Sequence, residues 1–311
     1  MKFDISLNNV YALSSSIEGE IIALADILRN RFFSKAEQSL LFDMIPSWIM
    51  NAGHSPECEM SKNIFEKIIN KNKSDLINKL LYYYDCDALL FGLQNRFSLI
   101  STLMEEVYKQ LSRTIDVDTN SINAIRIADS TSIHTHTCMN SIFINLASSC
   151  DLMTKIAIEL ESIPTIDFST YPKMKSSNIL YGNKCKLPVT MKKNDTYFAE
   201  IRPVPITIIE TLRDEIIHNG SLDINYFVYS AMIGDRFIDF IPCPDFTEAG
   251  TFSSYNGRKK FYENYDKTFN EELPKIVDDF LKIAINTLQL LNKTYFPETQ
   301  SLDSSGENPL P

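Results

Sequence analysis

TLRDEIIHNG, residues 211–220, places an arginine, an aspartate and one of the chain's four histidines within two helical turns and ends on Asn-Gly. The apolar residues Ile206, Ile209, Leu212, Ile216 and Ile217 recur at helical spacing and predict a helix over about 205–219. Asn219-Gly220 supplies the left-handed conformation that ends helices. On a wheel with Ile209 at the origin, Arg213 falls at about 40°, inside the apolar stripe. A guanidinium there needs an anion, either a carboxylate of a neighbouring helix or a phosphate of a ligand. Asp151 and Glu159 are the acids in a position to meet it. Asp214 and His218 fall together at about 140° and 180°, so the carboxylate is expected to orient the ring at i, i+4. The last turn also favours imidazolium through the helix dipole. Arg213 and His218 diverge by roughly 140° on a straight helix, so a shared site calls for a second copy of the chain across a two-fold axis.

Outward from this helix, the chain reads as mainly α. Residues 15–31 carry Ile21, Leu24, Ile27 and Leu28 on one face, and Ser34 with Glu37 has capping-box spacing. Pro46 is a kink point for that second helix. Shorter helices are expected over about 60–83, a long one over 86–114, a second over 121–162 and a last one over 267–295. DVDTNS, residues 116–121, marks an internal boundary. Helical periodicity lapses at 163–204, where NILYG and LPVTM are strand candidates, and again at 221–266. There INYFVYSAMIGDRFIDFIP predicts two short strands about Gly234. The organisation expected is a helical N-terminal region at 1–85 and a four-helix bundle over 86–296 with insertions at 163–204 and 221–266. A polar, disordered tail at 297–311 completes it.

Composition sets bounds on partners and compartment. The start, MKFDISLNNV, lacks the apolar run of a signal peptide, and SIFINLASSCDLMTKIAIEL is interrupted by Asp151 and Lys155, so no membrane span is expected. Six scattered cysteines with no CxxC pair suit a reducing, cytoplasmic setting. His134, His136 and Cys138 alternate in IHTHTC, but i, i+2 residues point apart on a helix and no fourth ligand or supporting carboxylate is spaced to match, so no metal site is expected. No glycine-rich phosphate loop, zinc-protease motif or hydrolase elbow occurs, and no cofactor is implied. The net charge is −10, yet residues 172–202 hold seven basic residues against two acidic ones, interleaved with Tyr181, Tyr197 and Phe198. Lys184, Lys186, Lys192, Lys193 and Arg202 are therefore expected to track an RNA backbone.

Arg213-Asp-Glu-Ile-Ile-His218 resembles the R-x4–6-H motif of HEPN (higher eukaryotes and prokaryotes nucleotide-binding) domains, including the polar residue after the arginine. The resemblance covers roughly 86–295 and points to the variety with a long insertion between the second and third bundle helices. It implies a metal-independent endoribonuclease acting as a homodimer with a composite site. Arg213 would hold the phosphate, His218 would transfer the proton as the ribose 2′-hydroxyl attacks, and Asp214 would support them. It also implies a setting in toxin–antitoxin or antiviral defence systems, with an antitoxin or nucleotidyltransferase as partner. The alternative is a non-catalytic helical module that binds a partner protein or a nucleotide.

Overall fold

The computed structural model describes residues 3–44, 51–71, 74–112, 124–177, 191–233, 236–263 and 267–296. Its α-helices are α1 (Phe3–Phe32), α2 (Lys35–Met44), α3 (Lys62–Lys71), α4 (Asp75–Leu111), α5 (Ser130–Ser162), α6 (Val204–Asn219) and α7 (Phe269–Tyr295). Three strands, β1 (Ala124–Ile127), β2 (Val228–Ile233) and β3 (Arg236–Phe240), form one antiparallel sheet in the order β1-β2-β3. The mainly helical class expected from periodicity is what the chain adopts.

Helix α5 is central. It packs along α4 over its greatest length, and also against α6 and α7. Met139, Ile142, Phe143, Leu146, Met153, Ala157 and Leu160 are all fully buried. Ser130–Thr165 is long and apolar enough to cross a membrane by composition; burial against three neighbouring helices accounts for that apolarity.

The bundle differs from the expected one in its first member. Helix α1 lies against both α7 and α4, and Val10, Ile17, Ile21, Leu24 and Leu28 are buried in the same core as the helices that follow. A division at 85/86 falls inside α4, which runs unbroken from Asp75 through the buried Tyr82 and Cys86. The reason is the apolar stripe of α1, which continues back from Ile21 to Ile17 and on to Val10, steps of four and seven residues that keep one helix face, and so demands a long partner. The N-terminal helix is thus an integral wall of the bundle.

Two local expectations are met in atomic detail. The Ser34 N–H donates to Glu37 Oε2 at 2.7 Å and the Glu37 N–H donates to Ser34 Oγ at 3.3 Å, which closes the capping box before α2. The two strands in 228–240 also form, with Tyr229 opposite Phe240 and their rings stacked at 5.8 Å. The expected helix over 121–162 instead begins at Ser130, because residues 124–127 pair with β2, Ala124 opposite Ala231. Asp129 then caps α5, accepting from the Ser132 N–H at 2.7 Å. The boundary at 116–121, the strand candidate NILYG, Pro46, Gly234 and the tail lie outside the described residues, as does LPVTM up to Met191.

The stretch after α5 is tied down by a buried acid. Glu159, 1% exposed, accepts the Tyr82 hydroxyl at 2.6 Å and the Ser176 N–H at 2.8 Å, and the Ser176 hydroxyl as well. Tyr82 Oη in turn accepts the Lys175 N–H at 3.2 Å. A buried carboxylate holds such a place only when its lone pairs are met. Tyr82→Phe is expected to cost about 2 kcal/mol, the value of a hydrogen bond to a charged group. Chemical denaturation of the variant checks this, and a change under about 0.5 kcal/mol would show the network contributes little.

Candidate functional site

Pro203 and Pro205 set the start of α6, where their missing N–H groups would be unpaired in any case. Gly220 ends the helix at φ +88°, its N–H donating to the Ile216 carbonyl at 3.1 Å. A side chain at Gly220 would be strained in that conformation. Ile206, Ile209, Leu212 and Ile216 face the core, while Ile217 is 49% exposed. The buried stripe is therefore narrower than expected, and Arg213 lies on its edge with its side chain 36% exposed.

The pairing of the motif residues also differs. Arg213 Nη1 donates to Asp214 Oδ1 at 2.7 Å, and no hydrogen bond joins Asp214 to His218 among the described residues. An edge guanidinium reaches the adjacent carboxylate before that carboxylate can turn to the ring one turn on. His218 is exposed. Of the two acids expected near Arg213, Glu159 is engaged elsewhere, with Tyr82 and Ser176. Asp151 is close enough for its charge to count. Burial raises its carboxyl above the ordinary range while Lys155 and Arg213 oppose the rise. Its Oδ1 is buried with no hydrogen-bond partner among the described residues. One chain thus keeps Arg213 and His218 on diverging faces of α6.

The acids buried on α6 are ones the periodicity did not single out. Glu210 pairs with Arg202. Glu215 Oε1 meets Lys260 Nζ at 2.9 Å, with side chains 8% and 17% exposed, and Glu215 Oε2 accepts the Asn219 amide at 2.5 Å. Lys260 also donates to the Leu222 carbonyl at 2.6 Å, and Lys259 donates to Asn219 Oδ1 at 3.2 Å. These lysines directly follow a tight turn, Tyr255-Asn-Gly-Arg258, in which Asn256 and Gly257 both have positive φ. The chain leaving the turn brings Lys259 and Lys260 to the end of α6, at Asn219 and Glu215. Three consecutive bases in an acidic chain were the available sequence signal.

The lysines singled out earlier lie elsewhere. Lys184 and Lys186 are outside the described residues. Lys193 is exposed and Lys192 half-buried on a segment docked to α7, where Asn286 donates to the Asp195 carbonyl at 3.1 Å. Phe269, at the start of α7, lines one cavity with Leu222 just past the end of α6, so that end and Asn286 are about 25 Å apart along α7. Arg202 is held by Glu210. The structure therefore does not bring Lys192, Lys193 or Arg202 to the end of α6.

In the HTHTC stretch, His134 is exposed and lies 3.3 Å from Glu106, whereas His136 is fully buried and its Nε2 meets the Phe227 carbonyl at 3.0 Å. Helical geometry separates them, as expected. Burial lowers the His136 pKa from 6.5, against the opposing Phe227 carbonyl and Asp223 charge. The unfolded chain then binds the extra proton, so this contribution is intact above about pH 6.5 and lost as pH falls below it. The melting temperature of His136→Gln is expected to fall less steeply than that of wild type between pH 7 and pH 5. Parallel slopes for the two proteins would contradict that assignment.

Comparison with family models, curated proteins and solved structures gives no match to this chain. The reading of the site therefore rests on its own geometry and on the motif.

Proposed function

We propose that the chain is a metal-independent endoribonuclease of HEPN type, acting in the cytoplasm as a homodimer. The observation that carries the reading is the exposed His218 at the Gly220-capped end of α6, with Lys259 bonded to its neighbour Asn219. A proton-transfer group with a cation held close by is what scission of a phosphodiester by the ribose 2′-hydroxyl requires. His218 takes the 2′-hydroxyl proton and the O2′–P bond forms. The P–O5′ bond then breaks and the leaving oxygen takes a proton from solvent water, while His218 later releases its own to solvent, which yields a 2′,3′-cyclic phosphate and a 5′-hydroxyl. Arg213 of a second protomer completes the charge stabilisation. Ile217, exposed between the two motif residues, is the apolar contact that a second copy would cover.

The test is complementation. Arg213→Ala and His218→Ala are each expected to be inactive alone. An equal mixture is expected to regain part of the activity, because mixed dimers hold one intact site. Active single variants would overturn the reading. A mixture as inactive as its components would overturn the two-fold site. A second reading, a non-catalytic module for a protein or nucleotide partner, is favoured by the Arg213–Asp214 pair, which occupies the guanidinium within the chain. It predicts no RNA cleavage by the wild type.

A further inference from the structure

Beyond the end of α6 lies a cavity of about 170 Å³, whose lining includes His136, Leu222, Asp223, Tyr229, Tyr262 and Phe269. Its walls come from α5, the segment after Gly220, the sheet and the start of α7, so the fold itself builds it. A cavity of about 150 Å³ takes one benzene ring, and this one therefore fits a single six-membered ring with its substituents. Tyr229, Tyr262 and Phe269 supply aromatic surface of the kind on which bases stack.

The polar groups narrow the occupant. Because His136 Nε2 faces the Phe227 carbonyl, it carries the hydrogen, and in a ring kept neutral by burial Nδ1 is then a bare acceptor. Nδ1 is buried with no hydrogen-bond partner among the described residues, on a residue that is 0% exposed and borders the cavity. Asp223 contributes a second acceptor, since among the described residues its Oδ1 takes the Asn225 N–H alone, at 3.3 Å. Two acceptors call for an exocyclic amino group with two hydrogens. The Tyr262 hydroxyl, whose proton is held tightly by burial and by the Asp223 charge, is a donor for a ring carbonyl. Among single-ring bases only cytosine pairs an amino group with a carbonyl in this way, whereas uracil would set its own carbonyl against both acceptors.

We infer that this cavity is a cytosine-binding pocket, formed by His136, Asp223 and Tyr262 and placed next to the His218 end of α6. Its link to cleavage specificity rests on the ribonuclease reading; its base preference does not. Cytidine monophosphate and uridine monophosphate, titrated against the full-length chain by calorimetry, test the preference. Binding of the cytidine nucleotide at least tenfold tighter is expected, with Asp223→Asn levelling the difference by replacing an acceptor with a donor. Tyr262→Phe should weaken the cytidine nucleotide severalfold. Equal affinities, absence of binding, or an Asp223→Asn preference like that of wild type would overturn the pocket.

A second arm maps cleavage in an oligoribonucleotide containing a single cytidine among uridines. A cut confined to that cytidine and relaxed by Asp223→Asn identifies the base as part of an RNA chain. Nucleotide preference with no cut identifies a free nucleotide, leaving the pocket standing while the nuclease reading falls. Cleavage without base preference, and without nucleotide binding, does the reverse.

Discussion

His218→Ala is expected to lower the rate of RNA cleavage by about 10²–10⁴-fold, the usual contribution of a positioned acid–base group. The melting temperature should stay within about 1 °C of wild type, because the ring is exposed and a surface substitution of this kind changes little. That split between activity and stability distinguishes a catalytic histidine from a structural one. Arg213→Ala is expected to cost about 10²–10³-fold, as for loss of one charge-stabilising donor. Its effect on stability should also be small, since the guanidinium is partly solvated and paired to an exposed Asp214. A rate unchanged in His218→Ala would remove the ribose-attack mechanism from this site.

The largest expected effect on stability is at Lys260. Its ammonium meets Glu215 at 2.9 Å with both side chains largely buried, and it also holds the Leu222 carbonyl at 2.6 Å. Lys260→Met leaves the Glu215 carboxylate buried and facing only Asn219. Removal of one partner from a buried pair costs about 3 kcal/mol, which corresponds to roughly 6 °C in melting temperature for a chain of this size. Lys260→Met combined with Glu215→Met removes both charges and is expected to recover most of the loss, because a well-packed apolar pair is close in stability to a buried ion pair. Thermal unfolding of the two variants decides it. A double variant no more stable than Lys260→Met would mean that the lysine acts through Leu222 rather than Glu215. The same contact fixes the segment that carries Asp223, so Lys260→Met should also weaken nucleotide binding at the neighbouring cavity.

What the sequence made legible was local. The period of α6, its Asn-Gly stop and the Ser34–Glu37 box each depend on residues within a turn or two, and all are present. The strand pair at 228–240 is of the same kind. Helix α1 was legible only in part, because the stripe through Ile17 and Val10 acquires meaning from the partners it buries against, α4 and α7. At the site, an i, i+4 contact from Asp214 to His218 lost to the adjacent Arg213, whose long side chain reaches from the edge of the stripe. The Glu215–Lys260 pair joins residues far apart in the chain, and no spacing rule finds it. The cavity bordered by His136, Leu222, Tyr262 and Phe269 is likewise assembled from separate elements, so His136 in the sequence looked only like a failed metal ligand.

The central claim is that His218 promotes attack by the ribose 2′-hydroxyl without a metal. The most direct measurement incubates the purified chain with end-labelled single-stranded RNA in excess chelator and identifies the new termini. Cleavage with 2′,3′-cyclic phosphate and 5′-hydroxyl ends is expected, absent with His218→Ala. Intact RNA, or cleavage that leaves 5′-phosphate ends, would contradict it.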